Sequence, residues 1–374
     1  MAKKALLTTD DGLYHKVKKG FLTDDNAVYR KVKKAFLTVG GVYRPCWSGG
    51  ELTYWGTATN LSNVRKAHVA TTVGNYALFT GGQASDSSQV EVYDASLGKT
   101  TAPNLSEKKS NLSATTVGNY ALFAGGRVTN YTATVDAYNA ALTKTSAPAL
   151  ALARELMGAT TVGNYALFAG GRGNPNSSYV EAYDESLKRT FATSLSTARY
   201  YIAATTVGNY ALFGGGMESS DKYSAIVEAY DKSLTRTTLT SLSVARWKLV
   251  ATTVGNYALF GGGRSGSGYS TRTAVMDAYD ASLTKTTAPD LSAITDDLGA
   301  TTVVDYALFG GGSGDHGWKV DAYDASLTKT TAPNLSDGRD LLAATTVGNY
   351  ALFAGGGSST TGGMLALVDV YAVV

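Results

Sequence analysis

Histidine and cysteine, two side chains that often serve in acid–base, nucleophilic and metal chemistry, are rare in this 374-residue sequence. The three histidines are His15, His68 and His316, which fall at unrelated places, and the one cysteine is Cys46. Catalytic and metal sites bring such groups together at short spacings, such as HxxxH or CxxC, and the sequence has neither. A GxGxxG pattern at 261–266 would have to open a helix to cradle a phosphate, and it opens a polar loop instead. We therefore expect no catalytic residue, no metal, no cofactor and no enzymatic activity.

A more regular pattern joins basic and acidic side chains. A basic residue stands five positions before six of seven Ala-Thr-Thr triplets, and Thr295 takes this position before the sixth triplet. The basic residues are Arg65, Lys109, Arg154, Arg199, Arg246 and Arg339. An acid recurs with the same period, at Glu91, Asp136, Glu181, Glu228, Asp277, Asp321 and Asp369. These residues form either a structural ion pair in every repeat or a ring of ligand-binding cations at a channel mouth; their strict recurrence favours the ion pairs.

Eight aromatic residues lie in segments that differ from one repeat to the next. They are Tyr131, Tyr179, Tyr200, Tyr201, Tyr223, Trp247, Tyr269 and Trp318. Such side chains suit stacking on sugar rings or anchoring a protein partner, because each has a large apolar face and most have a polar edge. Some are expected only to cover loop edges, since single exposed aromatics are common. The segments that carry them form the candidate ligand-binding face.

The elements that position these residues are repeats. Near-identical copies of Ala-Thr-Thr-Val-Gly-Asn-Tyr-Ala-Leu-Phe-x-Gly-Gly begin at Ala70, Ala114, Ala159, Ala204, Ala251, Ala300 and Ala344. A period of about 45 residues is typical of solenoids and propellers. Within the unit 114–158, two β-rich runs flank a Gly-Asn turn, and an alternating run and a Thr-rich run follow. Four short strands per unit predict an all-β fold of seven propeller blades.

The order of these elements resembles the Kelch repeat, in which a Gly-Gly doublet is followed by a spaced tyrosine. The matching tyrosines are Tyr93, Tyr138, Tyr183, Tyr230, Tyr279, Tyr323 and Tyr371. The resemblance covers roughly residues 52–374 and implies a seven-bladed β-propeller with four-stranded blades. Kelch units usually end in a tryptophan, and leucines such as Leu142 stand nearest to that position here. A WD40 propeller is disfavoured, because its Gly-His and Trp-Asp pairs are missing.

The ring is expected to close with a strand from the beginning of the repeat region. The last unit ends at Val374 after its third strand, whereas residues 52–60 align with the tail of a unit. These residues would supply the fourth strand of the last blade and leave no open edge. An open stack of seven units is disfavoured, because neither end has the character of a polar cap. The loops that vary between units follow each doublet or precede each Ala-Thr-Thr, and in such a blade both classes open on one face.

Residues 1–50 form a predicted arm, separate from the propeller at 51–374. The arm holds three copies of a segment of about fifteen residues, each of which predicts a small β-hairpin. Ten basic residues against four acidic ones give the arm a net charge of +6, whereas the remainder has −3. The residues expected to act in assembly are Lys18, Lys19, Tyr29, Lys33, Lys34 and Tyr43.

The arm is too small to bury a core of its own. We therefore expect it to bind a second copy of the chain, forming a homo-oligomer, or a larger scaffold. Nucleic acid is a disfavoured partner, because the basic residues are not interleaved with a stacking motif.

The run from Lys31 to Gly50 resembles short basic repeats in structural proteins of bacteriophages and prophages of gut Firmicutes. In those proteins the segment precedes a variable distal module. With its two upstream copies, the resemblance covers about 13% of the chain. It implies a virion or tail-associated protein that residues 1–50 anchor to other virion proteins, with the propeller exposed on the particle surface.

The function expected from these features is adhesion, in which the variable loops of the propeller bind a glycan or a protein of the host surface. Two other functions stay open: a structural decoration subunit of the capsid or tail without a ligand, and an intracellular Kelch-type protein-interaction module. The sequence has no long apolar h-region of a signal peptide and no apolar run of membrane-spanning length. We therefore expect synthesis in the host cytoplasm and no membrane partner.

Overall fold

The computed structural model describes residues 50–314 and 316–374 and, before them, the backbone of four short strands. The chain divides into two compact units, Met1–Leu52 with Val373–Val374 and Thr53–Ala372. In the first unit, β1 (Phe21–Thr23) pairs with β2 (Tyr29–Lys31), and β3 (Phe36–Val39) pairs with β4 (Val42–Pro45), both antiparallel. Two of the three predicted arm hairpins are therefore present, and the first copy lies outside the described residues.

The propeller consists of seven four-stranded antiparallel sheets, each of which is one blade. From first to fourth strand, blade 1 consists of β6 (Val69–Val73), β7 (Tyr76–Thr80), β8 (Val90–Asp94) and β9 (Lys99–Ala102), and blade 2 of β10 (Ser113–Val117), β11 (Tyr120–Ala124), β12 (Val135–Asn139) and β13 (Lys144–Ala147). Blade 3 consists of β14 (Gly158–Val162), β15 (Tyr165–Ala169), β16 (Val180–Asp184) and β17 (Arg189–Phe191). Blade 4 consists of β18 (Ala203–Val207), β19 (Tyr210–Gly214), β22 (Val227–Tyr230) and β23 (Arg236–Thr238).

Blades 5 to 7 have the same organisation. Blade 5 consists of β24 (Val250–Val254), β25 (Tyr257–Gly261), β26 (Met276–Asp280) and β27 (Lys285–Thr287). Blade 6 consists of β28 (Gly299–Val303), β29 (Tyr306–Gly310), β30 (Val320–Asp324) and β31 (Lys329–Ala332). Blade 7 consists of β33 (Ala343–Val347), β34 (Tyr350–Ala354), β36 (Val368–Val373) and β5 (Leu52–Thr57). Two-stranded sheets in the loops pair β20 (Met217–Ser219) with β21 (Lys222–Tyr223) and β32 (Arg339–Asp340) with β35 (Gly357–Ser358). The described helix content is one 3-10 turn, Tyr269–Thr271. The predicted all-β fold of seven four-stranded blades is confirmed.

The hydrophobic core lies between neighbouring blades. In blade 2, β11 is apolar along its length, and its side chains alternate between two layers. Ala121 and Phe123 pack with residues of blade 1, such as Leu78. Leu122 packs on the other side with residues of blade 3, such as Phe168. A second strand is therefore apolar at every position because both of its faces are covered.

Each Gly-Gly doublet is required by a close approach of two chain segments. Gly125 and Gly126 have φ values of +61° and +108°. A Cβ on Gly125 would lie 2.4 Å from the carbonyl oxygen of Arg154, in the connector that leads into the next blade. The main-chain nitrogen of Gly126 donates to the same carbonyl oxygen at 2.9 Å. The doublet thereby holds the connector of one blade against the second strand of the preceding blade.

Threonine hydroxyls join the first strands around the central channel. At the six interfaces from blades 1–2 to blades 6–7, the first Thr of one triplet shares a hydrogen bond of 2.7–3.0 Å with the second Thr of the next. The hydroxyl of the second Thr also donates to a carbonyl oxygen, as Thr116 does to Thr72 at 2.8 Å. Threonines line a channel cavity of about 390 Å³. The repeated triplet therefore links each blade to the next at the axis.

The last blade takes its fourth strand from the beginning of the propeller, as predicted. Its strand order is β33-β34-β36-β5. The main-chain nitrogen of Ala58 donates to the carbonyl oxygen of Val368 at 2.9 Å, and the Tyr54 hydroxyl donates to Asp369 Oδ1 at 2.6 Å. Burial and this hydrogen bond to a carboxylate raise the pKa of Tyr54 to about 12. The β5 strand thus closes the ring through backbone and side-chain contacts.

Removal of β5 should destabilise the protein. A chain that begins at Ser62 lacks the strand partner of β36 and the hydrogen bond between Tyr54 and Asp369. Its free energy of unfolding should be lower by about 3 kcal/mol, a large part of a typical stability margin. Calorimetry measures this difference against a chain that begins at Glu51. Equal melting temperatures would contradict closure through β5.

His68 lies at the junction of the last and first blades. It is 5% exposed and stands where other blades have an apolar residue such as Leu112 or Leu249. Burial, followed by the positive charges of Arg65 and Arg339, lowers the pKa of His68 to about 3. The imidazole is therefore neutral in the folded ring at every pH well above 3.

Replacement of this histidine should make the protein less sensitive to acid. As the pH falls below 6.5, the ordinary pKa of histidine, the unfolded chain takes up a proton at His68 that the folded chain does not. At pH 5 this difference favours unfolding by about 2 kcal/mol. The melting temperature of His68→Leu should accordingly fall less between pH 7.5 and pH 5 than that of the unchanged protein. His316→Leu, at an exposed position, is the control; an equal fall in all three proteins would refute the role of His68.

Candidate functional site

The two classes of variable loop meet on one face of the propeller. The residue that follows a Gly-Gly doublet pairs with a residue of the connector that leads into the first strand of the same blade. Backbone bridges of this kind are Lys66–Gln83, Glu155–Arg172 and Trp247–Arg264. We call the surface formed by these connectors and second-to-third-strand loops the variable face.

The six basic residues of the recurring series lie beneath this face and not on it. Each is fully buried and forms an ion pair with the acid of its own blade, at distances from 2.5 to 3.3 Å. The pairs are Arg65–Glu91, Lys109–Asp136, Arg154–Glu181, Arg199–Glu228, Arg246–Asp277 and Arg339–Asp369. A side chain without solvent exposure does not reach a ligand at the channel mouth. These residues are therefore structural, and a ligand-binding role is inconsistent with their burial.

Each ion pair belongs to a network that fixes the connector. Arg199 also donates to the carbonyl oxygens of Gly215 and Ile226, at 2.8 and 2.7 Å. In blades 1 to 5 a second basic residue, from the fourth strand, pairs with the same acid at 2.6–3.4 Å. Burial alone would raise the pKa of Asp277, but the hydrogen bond from Ser243 and the charge of Arg246 lower it below its ordinary value. The acid thus stays ionised within the blade.

Removal of one buried cation should cost more stability than removal of an exposed one nearby. Arg154→Ala leaves the carboxylate of Glu181 buried without its nearest cation, and this should lower the free energy of unfolding by about 3–5 kcal/mol. Arg172→Ala, in the exposed loop of the same blade, is the matched control and should cost about 1 kcal/mol at most. Urea denaturation measures both changes. Similar losses in the two variants would show that the ion pair contributes little.

A ring of seven connector residues, which the sequence analysis did not identify, surrounds the channel mouth. We call it the mouth ring; its members are Ala67, Asn111, Leu156, Tyr201, Lys248, Asp297 and Leu341. At six of the seven junctions, main-chain hydrogen bonds of 2.8–3.5 Å join these residues from blade to blade. All seven have φ between +51° and +58°. The mouth ring is therefore one repeated backbone conformation that carries six different residue types.

The side chains of the mouth ring are the variable part of this fixed frame. A left-handed conformation is strained for residues other than glycine, by about 1 kcal/mol or more, and none of the seven is glycine. One side of the mouth ring is mostly apolar, at Leu341, Ala67 and Leu156, although Asn111 lies between the last two. The other, polar side carries Tyr201, Lys248 and Asp297. A signal existed in the sequence: each member stands two residues after a position of the basic series and directly before a residue that is apolar in six of the seven blades.

The structure separates the eight predicted aromatics by their exposure. Tyr179 and Trp318 are exposed, and Tyr131, Tyr201, Tyr223 and Trp247 are half-buried. Tyr200 is only 8% exposed, so the prediction of a surface side chain is wrong for this residue. Its ring is covered by Arg172 and packs beside Tyr201. The side chain of Tyr269 lies outside the described residues.

Three of these aromatics form a cluster beside the mouth ring, although they come from separate loops. The ring centroid of Trp247 lies 5.1 Å from that of Tyr201 and 6.3 Å from that of Tyr223. Lys248 Nζ lies 5.2 Å from the Trp247 ring, and Trp247 Nε1 donates to the carbonyl oxygen of Gly266 at 3.1 Å. These contacts hold the tryptophan in one orientation. The cluster can bind a ligand at its edges, because a cation already covers the indole ring.

The polar side of the mouth ring contains an ion pair in which burial and neighbouring charges shift the pKa of the acid. Lys248 Nζ forms a short ion pair with Asp297 Oδ2. Burial is the largest influence on Asp297; it outweighs the opposing effect of Lys248 and, with the nearby carboxylates of Asp296 and Asp340, raises the pKa of Asp297 to about 6. The mouth ring therefore carries a carboxyl group that protonates near neutral pH.

The remaining predicted sites concern the arm, metals and membranes. Tyr29 and Tyr43 lie in strands β2 and β4, and Lys18, Lys19, Lys33 and Lys34 lie outside the described residues. In the described part of the chain, no three or more His, Cys, Asp or Glu side chains are grouped so that they could hold a metal ion. No helix among the same residues has the length and apolar character needed to cross a membrane.

Comparison with known proteins identifies the fold. No family model and no curated protein matches the sequence. Among solved structures 648 chains match, and one of them is the structure of YjhT, with a TM-score of 0.56 over 83% of this chain and 95% of that chain. The two sequences are only 11% identical, so the likeness shows the fold alone. This chain is a seven-bladed β-propeller.

Proposed function

We propose that this chain is a non-enzymatic adhesion protein of a virion or phage tail, whose variable face binds a glycan or a protein of the host surface. The observation that carries the proposal is the mouth ring, a rigid backbone frame on which the side chains change from blade to blade. Binding sites commonly consist of variable side chains on a rigid scaffold. A propeller that only filled space would have no need for seven strained residues with different side chains at one position.

The composition of the polar side of the mouth ring supports a host-surface ligand. Tyr201 and Trp247 offer apolar surface, and Lys248 and Asp297 offer a donor and an acceptor within the same cluster. Sugars and protein side chains both present apolar patches beside hydroxyl, amide or charged groups. The exposed Trp318, on the loop after the doublet of blade 6, extends this surface outward.

The Kelch-like character of the repeats is part of the proposal. The spaced tyrosines are fully buried, and six of them donate to a carbonyl oxygen of the preceding connector, as Tyr138 does to Pro103 at 2.8 Å. The doublet and the tyrosine therefore both fix connectors, which explains why these two features recur together. An enzymatic role gains no support from the described residues, in which the histidines lie far apart in sequence and in different settings.

The arm is the proposed anchor to other virion proteins. Its paired strands are three or four residues long, and a two-stranded hairpin of this length is at best marginally stable alone. Its net charge of +6 suits an acidic partner surface. The resemblance to phage structural proteins supports a virion as the particle, and the charge supports attachment of the arm to an acidic surface on it.

Substitutions on the variable face should weaken adhesion without lowering stability. Tyr201→Ala combined with Trp318→Ala should reduce binding of the full chain to intact gut Firmicutes cells by at least about tenfold, or about 1.4 kcal/mol. Trp55→Ala is the matched control, because Trp55 is 53% exposed on the outer strand of blade 7 and lies off the variable face. Flow cytometry with labelled protein measures binding, and calorimetry measures stability.

Two outcomes of this experiment decide between the candidate functions. Loss of binding in the double variant alone supports adhesion through the variable face. Equal binding by all three proteins, with unchanged melting temperatures, would favour a decoration subunit that has no ligand.

A further inference from the structure

Blade 6 departs from the other six at the position of the buried cation. Thr295 stands where the other blades have Arg or Lys, and the acid of this blade, Asp321, is nevertheless retained. Asp321 is only 4% exposed. Its carboxylate accepts hydrogen bonds from the main-chain nitrogen and the hydroxyl of Ser292, at 2.8 and 2.5 Å. Two of the roughly four acceptor positions of the carboxylate are thereby occupied.

No basic side chain of the described residues lies within 4.0 Å of the Asp321 carboxylate. The fourth-strand base that pairs with the acid in blades 1 to 5 is Lys329 in blade 6; it keeps the two neighbours that its counterparts have, such as those of Lys144, but forms no direct ion pair with Asp321. Its Nζ donates to the carbonyl oxygen of Asp290 at 2.6 Å and to Ser292 Oγ at 3.4 Å. Asp321 therefore lacks the buried cation of its counterparts and contacts Lys329 only through Ser292 Oγ, and a buried carboxylate without a direct ion pair is costly.

A small cavity lies against this carboxylate. Its lining residues are the apolar Leu291, Ala293, Leu298 and Phe309 together with Thr295, Gly311, His316, Lys319 and Asp321. About 10 Å³ of the cavity is open to the centre of a water-sized particle. This is room for one such particle. In other blades the buried cation occupies the corresponding place and satisfies the carbonyl oxygens there.

The carbonyl oxygens that the missing cation would satisfy can be identified from those blades. Arg199 donates to Gly215, the first glycine of the doublet, and to Ile226, the residue before the third strand. The corresponding residues of blade 6 are Gly311 and Lys319, and both line the cavity. The carboxylate of Asp321 and the carbonyl groups of these two residues are therefore the oxygen ligands that the cavity offers to a hard monovalent cation, beside an apolar wall and His316.

Blade 2 shows which cations the position accepts. There the occupant is not a guanidinium but the ammonium group of Lys109. Its Nζ lies 3.3 Å from Asp136 Oδ2 and 2.9 Å from Thr134 Oγ1. An ammonium group is about the size of a water molecule, and so is a potassium ion. The same position therefore suits a compact cation as well as the larger arginine head.

We propose that the cavity beside Asp321 is a binding site for an ammonium-sized monovalent cation, which takes the place of the missing side chain. The cation contacts the carboxylate and the nearby oxygens, and it completes in blade 6 the ion pair that the other blades form within the chain. The source is either a free ion or the primary amine of a larger molecule. The site is independent of adhesion and would stand if the proposed function failed.

The test measures the melting temperature of the full chain in chloride salts at equal ionic strength. Ammonium or potassium chloride should raise it above the value in tetramethylammonium chloride, because the tetramethyl ion is too large for the cavity. The rise should saturate with concentration, as expected for a ligand that binds only the folded state. Methylammonium chloride distinguishes the sources: a similar rise identifies a site that admits a primary amine, and no rise identifies a site for free ions.

Three variants show whether the response comes from this cavity. Asp321→Asn removes the charge and Thr295→Arg supplies the missing side chain, so both should abolish the cation-specific rise. Thr295→Arg should in addition melt higher than the unchanged protein in tetramethylammonium chloride, which keeps the test informative if Asp321→Asn folds poorly. Asp305→Asn is the matched control, since it removes an exposed carboxylate in another loop of blade 6 and should keep the rise. An absent rise in the unchanged protein, or an equal rise in Thr295→Arg, would overturn the proposal and leave water as the occupant.

Discussion

No blade of this propeller has a hydrophobic core of its own. Each apolar second strand buries one face against the preceding blade and the other against the following one, as Phe123 and Leu122 do in blade 2. Stability is therefore a property of the closed ring, and every other regularity of the chain serves to hold neighbouring blades together. The threonine triplets link the blades at the axis, and the buried ion pairs fix the connectors at the variable face. Closure through β5 follows from the same constraint, because an open ring would expose an apolar layer.

The ion pairs and the mouth ring together explain how one face varies while the fold does not. A buried cation such as Arg199 fixes its connector through the acid and two carbonyl oxygens. Two residues further on, the backbone is held in the left-handed conformation, and the residue after that is buried, as Ile202 is. The residue between them, Tyr201, can therefore change without altering the path of the backbone on either side. The strain of the left-handed conformation is offset by the hydrogen bonds that join the ring from blade to blade.

The sequence was sufficient to predict the structural features that repeat in every blade. Strand order, blade number and the closing strand all follow from period and alternation, and the recurrence of acid and base with one period indicated the ion pairs. It was insufficient to predict contacts between side chains that come from different repeats. Tyr201, Tyr223 and Trp247 lie up to 46 residues apart, and nothing in their spacing shows that they meet. Tyr200 is buried by Arg172, a contact that depends on the path of a loop. The mouth ring was missed because residues such as Leu156 and Lys248 give no local signal of a positive φ.

Blade 6 departs from the repeated pattern at two positions and still forms a four-stranded blade. Its Thr295 leaves the acid without a cation, and its Val304 replaces the glycine of the first turn at φ +52°, a conformation that is strained for a β-branched residue. The two departures lie in different loops of the same blade and have no common cause in packing. Blade 6 nevertheless keeps its four strands and shares an apolar layer with blade 5, which includes Leu259 and Phe309. The strained turn lies in an exposed loop, whereas the missing cation leaves a small cavity against the buried carboxylate of Asp321. Of the two departures, only the second creates a place that a ligand can fill.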